Sequence, residues 1–262
     1  MSADRPEIRP ASSVAPSVAP PVAADWLPRR LLAEFLGTGL LVTVVVGSGI
    51  AASRLSPDDA GLQLLENSLA TALGLAVLIA MFAPVSGAHF NPVVSAADHV
   101  LGRRRGAGLV LHDLGPYVLA QVAGGISGAV LANVMFGVET SIATTERVSA
   151  GSLVAEVVAT AGLVAAIFSL VRTGRAAIVA PVVGAYIGAA YWFTSSTSFA
   201  NPAVTVGRIF SDTFAGISPA SAAAFLGAQL VGAAVGVVLV SALFPAPAGA
   251  PVEELADTSS VR

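Results

Sequence analysis

The sequence predicts an all-α membrane protein with six transmembrane helices and two re-entrant half-helices, arranged as an inverted repeat. The first observation is composition: 55% of the 262 residues are hydrophobic and only 11% are charged, whereas about a quarter of the residues of a soluble domain are charged. The second is segment length, because a helix needs about 20 apolar residues to cross a hydrocarbon core of about 30 Å. Six segments qualify, at about 31–50, 64–82, 116–136, 153–171, 176–194 and 222–244.

The third observation is an internal repeat, in which three short motifs each occur twice. The paired positions are Glu34 and Glu156, Asn91 and Asn201, and Gln121 and Gln229. The members of each pair lie at matching places in two halves of the chain, about 31–136 and 153–244. Each half contains an odd number of spans, so the halves must insert with opposite orientations. An inverted repeat of this kind places a site near the bilayer midplane between its halves.

Two shorter apolar stretches, at about 93–101 and 203–210, each follow an Asn-Pro pair. As helices they would be about 15 Å long, which is half a membrane. Asn is a strong N-cap and Pro is favoured at the first helical position, so Asn91 and Asn201 are predicted to cap half-helices that enter from opposite faces. Their positive ends would meet at the centre, beside a cavity. Asparagine amides there can donate hydrogen bonds to a passing oxygen, and the converging dipoles oppose cations and protons.

These motifs resemble the signature loops of the major intrinsic protein family, which comprises the aquaporins and glycerol channels. The resembling stretches are SGAHFNPV at 86–93, NPAVT at 201–205 and AEFLGT at 33–38. The resemblance implies an aquaporin-like channel domain over about 31–244, an hourglass pore in each subunit, a homotetramer and passive conduction across the lipid bilayer. It also implies that Glu34 and Glu156 are buried carboxylates that hold the pore loops. The motif residues that it implies at the pore centre are Asn91, Pro92, Val93, Asn201, Pro202 and Ala203.

The position after the second Asn-Pro-Ala departs from the family. Most members have an arginine there, which lines the narrow outer constriction and repels cations, whereas this chain has Val204. We expect the altered selectivity filter to be less polar, wider and less selective for water. Arg208 lies four residues later, on the same face of the half-helix and nearer the outer vestibule. Arg208 either replaces part of the missing charge or extends its charged group to solvent from the helix end.

Two other filter positions stay open, because different anchor residues give different alignments. In the second span the alternatives are Leu73 and Thr71, and in the fifth span they are Trp192 and Ala189. None of these supplies the Phe and His of a family water filter. Ser198, in the loop before the second Asn-Pro, is a further filter candidate. The filter therefore favours solutes other than water, or solutes besides water.

The segment 191–201 resembles a bacterial subgroup associated with arsenic resistance. The predicted function is a passive channel for water, small neutral solutes or both, with glycerol-like polyols and undissociated arsenous acid as candidate solutes. The alternatives are an ion-coupled secondary transporter built on the inverted repeat and a purely structural membrane assembly. No enzyme, cofactor, metal or nucleic-acid site is expected, because the chain lacks cysteines, its histidines lack metal-ligand spacing and no basic stripe is present. His89 is expected only to brace the first half-helix.

Arginine placement predicts the orientation of the chain in the cell membrane. One side collects Arg29, Arg30, Arg103, Arg104, Arg105, Arg172 and Arg175, and the opposite side carries Arg54 and Arg147. Since positive residues accumulate on the cytoplasmic side, both termini are expected to be cytoplasmic. The terminal stretches 1–30 and 245–262 are predicted to be disordered tails, because prolines interrupt both.

Overall fold

A computed structural model describes residues 27–103 and 106–245, and these residues contain eight α-helices and no β-strand. The helices are α1 (Leu27–Leu55), α2 (Ala60–Ser86), α3 (Pro92–Gly102), α4 (Leu111–Phe136), α5 (Ala150–Arg172), α6 (Val179–Phe193), α7 (Pro202–Gly207) and α8 (Pro219–Leu243). Short 3₁₀ helices precede α6 at Ala176–Ile178 and follow α7 at Arg208–Phe210. The two predicted tails lie outside the described residues, apart from 27–30, which form the first turn of α1, and Pro245.

The helices α1, α2, α4, α5, α6 and α8 are long and apolar enough to cross a membrane, α6 together with its preceding 3₁₀ turn. They confirm the six predicted spans, although several run past the predicted ends. The helix α4 begins at Leu111, well before Pro116, because neighbouring helices and local adjustments can satisfy the backbone groups that a proline frees in a membrane-spanning helix. Its first turn is held by Arg30 of α1, whose Nη1 donates to Asp113 Oδ2 at 2.9 Å.

The helices α3 and α7 are the two predicted half-helices. Asn91 and Asn201 are their N-caps, with extended backbone conformations, and Pro92 and Pro202 are their first helical residues. The half-helix α3 packs against α4 and α8, and α7 packs against the same two helices. Each half-helix is therefore enclosed by helices from both halves of the chain, as a broken helix at membrane depth requires.

The two halves make equivalent contacts, which confirms the inverted repeat. The helix α1 packs along α4, and its counterpart α5 packs along α8. The helix α2 meets its own counterpart α6 across the boundary between the halves. The chain begins α1 and ends α8 at one face of the molecule, which we call the terminal face. The connections after α1 and α4 lie at the opposite face, which we call the loop face. The half-helix α3 runs from the centre of the molecule to the terminal face, and α7 runs from the centre to the loop face.

Glycines lie where the spanning helices approach most closely. A side-chain carbon at Gly128 of α4 would collide with the main-chain oxygen of Gly39 on α1. The equivalent contact in the second half joins Gly232 of α8 to the main chain of Val157 on α5. The close approach also lets Thr43 Oγ1 of α1 donate to the Gly128 oxygen at 3.0 Å. Small residues thus set the helix spacing, as in other membrane bundles.

Candidate pore

The two half-helices meet end to end through their capping asparagines. Asn91 Oδ1 accepts from Val93 N at 3.0 Å, and Asn201 Oδ1 accepts from Ala203 N at 2.9 Å. Each side-chain amide also donates to the residue that precedes the other asparagine: Asn91 Nδ2 to Ala200 O and Asn201 Nδ2 to Phe90 O, both at 2.8 Å. One N–H of each amide then has no acceptor among the described residues, and both side chains line the central cavity.

The loops that lead into the two asparagines have unusual backbone conformations. Positive φ angles occur at Ala88 and Phe90 in the first loop, at 50° and 51°, and at Ser198 and Ala200 in the second, at 52° and 47°. Thr197 has a φ of 61°, which is rare for a β-branched residue. Each such residue costs on the order of 1–3 kcal/mol, so the surrounding structure must impose the conformation.

Two buried glutamates impose the unusual backbone conformations of the two loops. The Glu34 carboxylate is fully buried and accepts four hydrogen bonds, from Ser86 Oγ, His89 N, Phe90 N and Gln121 Nε2. The Glu156 carboxylate is equally buried and accepts the matching four, from Ser196 Oγ, Phe199 N, Ala200 N and Gln229 Nε2. Backbone N–H groups of each strained loop are thereby held against a fixed acceptor. Gln121 and Gln229, which the sequence marks only as repeated positions, complete the two arrangements.

His89 lies at the terminal-face side of the first loop and also lines the central cavity. Its Nδ1 is 3.0 Å from Ser95 Oγ, and its Nε2 is 3.7 Å from Asp98 Oδ2. Both partners belong to α3, so the histidine side chain connects the loop to the half-helix that follows it. On the other side its ring contacts Tyr117, with the ring centres 5.7 Å apart.

A cavity of about 630 Å³ runs from Arg30 and Asp98 at the terminal face, past both asparagines, to Arg208. One wall carries the asparagines and the loop backbone, and the facing wall is apolar. The apolar wall includes Ile79, Leu163, Phe168, Val183 and Ile187. A second cavity of about 360 Å³ opens at the loop face, and Arg208 lines both cavities. The two cavities therefore adjoin at Arg208.

Polar side chains surround the junction of the two cavities. Thr71 Oγ1 and Tyr191 OH lie 3.1 Å apart, and both residues line the central cavity together with Ser198 and Val204. The Ser198 hydroxyl is buried and has no hydrogen-bond partner among the described residues. Val204 is 5% exposed. The junction thus combines hydroxyl groups on one side with an apolar side chain on another.

Arg208 is only 3% exposed, so its side chain does not extend into solvent from the helix end. Its Nε donates to Ala215 O, and its guanidinium carbon lies 3.6 Å from the centre of the Phe199 ring. Helical side chains lean toward the N-terminus of their helix. The guanidinium therefore reaches back from position 208 toward the level of Val204, and this geometry favours the first of the two alternatives for Arg208.

Three sequence-predicted filter residues lie outside both cavities. Leu73 is 62% exposed and Trp192 is 51% exposed, and Ala189 is also exposed on the outer surface of its helix. Their exposure contradicts the prediction that these three residues line the filter, whereas Thr71 lines the central cavity.

The sequence analysis did not predict Tyr191, the neighbour of Trp192, which lines the central cavity. An alignment error of one residue is enough to explain this, because it turns a helical side chain by about 100°. A tyrosine hydroxyl in a largely apolar helix is the sequence signal for Tyr191, and Tyr186 of the same helix shares this signal.

Comparisons with known proteins agree with this geometry. A family model described as Major intrinsic protein matches residues 24–198. Aquaglyceroporin AqpS of Rhizobium meliloti (strain 1021) is 48% identical over 216 residues, which cover 82% of this chain and 89% of that protein. Propanediol uptake facilitator PduF of Citrobacter freundii is 35% identical over 113 residues, 43% of this chain and 39% of that protein.

A solved structure supports the fold alone, because its sequence identity is only 22%. It is the X-ray structure of the aquaglyceroporin from Plasmodium falciparum, with a TM-score of 0.66 over 83% of this chain and 96% of that one. The aquaporin-like fold predicted from the sequence is thereby confirmed. From the family model and the identity to AqpS, the chain belongs to the major intrinsic protein family, and it is a passive membrane channel and not an enzyme.

Proposed function

We propose that this channel conducts water and uncharged hydroxylated solutes of glycerol size, with undissociated arsenous acid among them. The observation that carries the proposal is the pairing of Val204 with Arg208 at the junction of the two cavities. Two of the similar proteins are named for comparable solutes, as an aquaglyceroporin and as a propanediol uptake facilitator. A solute of this kind has hydroxyl groups on one side and carbon–hydrogen groups on another.

The central cavity suits such a solute. Asn91 and Asn201 each have a free amide N–H, and Thr71 and Tyr191 have hydroxyls that both donate and accept hydrogen bonds. The opposite wall is apolar and would contact the carbon side of a polyol at no desolvation cost. Precisely placed polar groups on an apolar background are the usual composition of small-molecule sites.

The filter proposal follows from what each side chain contributes. Valine has no hydrogen-bond donor and ends two carbons beyond its backbone, so it leaves space where most family members have a guanidinium. Arg208 is attached one helical turn nearer the loop face and carries its positive charge back toward the level of Val204, and its two amino groups have no hydrogen-bond acceptor among the residues that the structure describes. The pore would thereby keep a charge that repels cations and still admit solutes larger than water.

An ion-coupled transporter is disfavoured by the positions of the buried glutamates. Neither Glu34 nor Glu156 lines either cavity, and each has four hydrogen-bond donors from its loop and a neighbouring helix. A carrier would need a titratable group that a proton or ion reaches from the solute path. These carboxylates instead act as loop-supporting residues in our proposal, and His89 acts with them on the first half-helix.

We predict that Val204→Arg lowers glycerol and arsenous acid permeability at least about tenfold, because the added guanidinium fills the space and each 1.4 kcal/mol of barrier is a factor of about ten. Water permeability should fall less, since water is the smallest of the three solutes. The measurement is light scattering of proteoliposomes after an osmotic step, with bare liposomes as the blank.

Val204→Leu is the matched control, because it adds one methylene and no charge, and it should have the smaller effect. If Val204→Arg leaves glycerol permeability unchanged, position 204 is not part of the filter. If wild-type protein moves neither glycerol nor arsenous acid faster than bare lipid does, the wide-filter proposal fails. If water also fails to move, the conduction proposal itself fails.

We also propose that the protein is a homotetramer of the cell membrane with both termini in the cytoplasm. Arg29, Arg103, Arg172 and Arg175 belong to the terminal face of the fold, and Arg54 and Arg147 belong to the loop face. Arg104 and Arg105 lie outside the described residues. The bias supports a cytoplasmic terminal face. The tetramer is implied by the family resemblance, and native mass spectrometry of the purified protein tests it.

Single-cysteine variants test the orientation, because the natural chain has no cysteine. Ser141→Cys adds a thiol to an exposed site of the loop face, and Thr173→Cys adds one to an exposed site of the terminal face. We expect a membrane-impermeant maleimide to label the Ser141→Cys protein on intact cells and the Thr173→Cys protein only after permeabilisation. The reverse pattern would show that the termini are outside.

A further inference from the structure

The cavity at the loop face contains two guanidinium groups, from Arg147 and Arg208, which we call the arginine pair. Arg147 lies in the connection between α4 and α5, and Arg208 follows α7. Both flank the ring of Phe199: the guanidinium carbons lie 5.5 Å and 3.6 Å from the ring centre, respectively. Two cations from distant parts of the chain thus meet at one aromatic ring beside an open cavity.

Main-chain carbonyls orient the arginine pair. Arg147 Nε donates to Gly216 O at 2.7 Å and Arg147 Nη2 donates to Phe214 O at 2.8 Å. Arg208 Nε donates to Ala215 O, the carbonyl between them. The remaining amino groups, Nη1 of Arg147 and both of Arg208, have no acceptor within 27–103 and 106–245. The pair is therefore rigidly held while several of its donors stay unused.

No carboxylate within 27–103 and 106–245 contacts the pair, although the charge of Glu156 acts on Arg208 from the other side of its loop, where its oxygens accept four hydrogen bonds. The ion pairs formed by the described residues include neither arginine. Two acidic residues of the same face are occupied elsewhere: Glu146 Oε2 accepts from Ser221 Oγ at 2.7 Å, and Asp212 Oδ1 accepts from Thr144 N at 3.0 Å. Burial lowers the pKa of Arg147 from its ordinary value. Two like charges with little solvent around them repel each other, and an anion between them would relieve this repulsion.

The rest of the cavity wall fits a small oxyanion. It consists of the apolar side chains of Ala60, Leu64 and Phe214 and the uncharged polar side chains of Asn67 and Thr197. None of these would repel an anion. Guanidinium groups bind oxyanions through paired N–H donors, which match the spacing of two oxygens. A cavity of about 360 Å³ accommodates sulfate, phosphate or a small carboxylate.

We propose that the arginine pair is a binding site for a small oxyanion and that a bound oxyanion closes the loop-face mouth of the pore. Closure follows because Arg208 lines both cavities, so an anion on its guanidinium stands in the path between them. The effect on conduction rests on the proposed channel function, whereas binding does not. The channel would then conduct less when oxyanions are abundant at its loop face.

A matched pair of variants at Thr197 provides the test. Thr197→Asp adds a tethered carboxylate to the cavity wall, which takes the place of a free anion beside the arginine pair. Thr197→Asn has nearly the same shape and no charge. Both replacements suit the φ of 61° at this position, because Asn and Asp adopt the left-handed region far more readily than threonine. Neither variant is therefore expected to disturb the loop.

The first measurement is thermal unfolding of purified protein in sulfate and in chloride at equal ionic strength. Sulfate stabilises folded proteins in general by exclusion from their surface, so the informative quantity is the difference between variants. We expect a larger sulfate-dependent rise in Tm for wild type and Thr197→Asn than for Thr197→Asp. Arg147→Gln, which removes half of the pair, should resemble Thr197→Asp. An equal rise in all four proteins would overturn the binding site.

The second measurement is water permeability of proteoliposomes with sulfate or chloride on both sides of the membrane. At a sulfate concentration equal to its Kd, half of the channels are occupied, and permeability should fall about twofold. The ratio of permeabilities in the two salts should return to one in Thr197→Asp and stay low in Thr197→Asn. A shift in Tm with no change in this ratio would overturn closure and leave binding intact. Low water flux of Thr197→Asp in both salts is expected, because its tethered carboxylate stands in the mouth. Absence of wild-type water flux in chloride would instead refute the proposed function.

Discussion

Replacing Glu156 by alanine should destabilise the channel by about 4 kcal/mol or more and abolish conduction. The substitution removes the acceptor of four hydrogen bonds, two of them from the backbone N–H groups of Phe199 and Ala200. A buried donor that loses its partner costs about 1–3 kcal/mol. The loop also has positive φ angles at Thr197, Ser198 and Ala200, and without the carboxylate nothing comparable opposes their relaxation. Such a loss is a large part of the 5–15 kcal/mol that stabilises a typical protein.

Glu156→Gln separates the charge from the shape. Glutamine keeps one acceptor oxygen, but its NH₂ group replaces the other oxygen and faces N–H or O–H donors that it cannot accept from. The loss of stability should therefore lie between those of wild type and Glu156→Ala. Glu139→Ala is the control, because Glu139 is exposed on the loop face. The measurements are the Tm in detergent and the water permeability of proteoliposomes. If Glu156→Ala matches Glu139→Ala in both, the carboxylate does not hold the loop.

Replacing Gly128 by leucine should have the second largest effect. A side-chain carbon at this position would collide with the main-chain oxygen of Gly39, and main chain cannot move aside as a flexible side chain can. Overpacking typically costs about 1–3 kcal/mol, and here α1 and α4 would have to separate. The same helix pair carries the bond from Gln121 Nε2 to Glu34 Oε2, at 2.8 Å. Separation would therefore shift the support of the first pore loop and lower conduction as well as stability.

Gly115→Leu is the matched control, since it makes the same change in the same helix. Gly115 is exposed, and a side-chain carbon there would meet nothing within 4 Å. We expect a lowered Tm and lowered water permeability for Gly128→Leu, and values near wild type for Gly115→Leu. Equal losses in the two variants would mean that helix propensity or lipid contact, and not the α1–α4 distance, limits this position.

The sequence predicted the two capped half-helices well because their signals are local. An Asn followed by Pro at the start of an apolar stretch caps a helix through bonds within a few residues, and Asn91 and Asn201 make such bonds. Repetition of the motif in two halves of opposite orientation then allowed only one arrangement of the half-helices. The paired glutamates were also recognisable, because an ionisable residue inside a membrane span needs partners.

The residues around the junction of the two cavities, which we propose as the filter, were harder to predict because they come from different elements. Thr71 of α2, Tyr191 of α6 and Arg208 after α7 line one cavity, and no local pattern relates them. Their placement depends on the rotation of each helix about its axis, for which one residue of error amounts to about 100°. This is why Trp192 and Leu73 were wrong candidates and Tyr191 was missed.

The sequence by itself determined the membrane class, the six spans, the inverted repeat and the two capped half-helices. These follow from hydrophobic length and from short motifs, which act along the chain. Only the tertiary structure decided that Arg208 is buried beside Phe199, that it lines both cavities, and that Arg147 lies at the same ring. Such contacts join residues far apart in the chain, and they are fixed by packing between helices. The substitution at Val204 and the presence of Arg208 nearby are therefore visible in the sequence, whereas the burial of Arg208 beside the cavity is visible only in the fold.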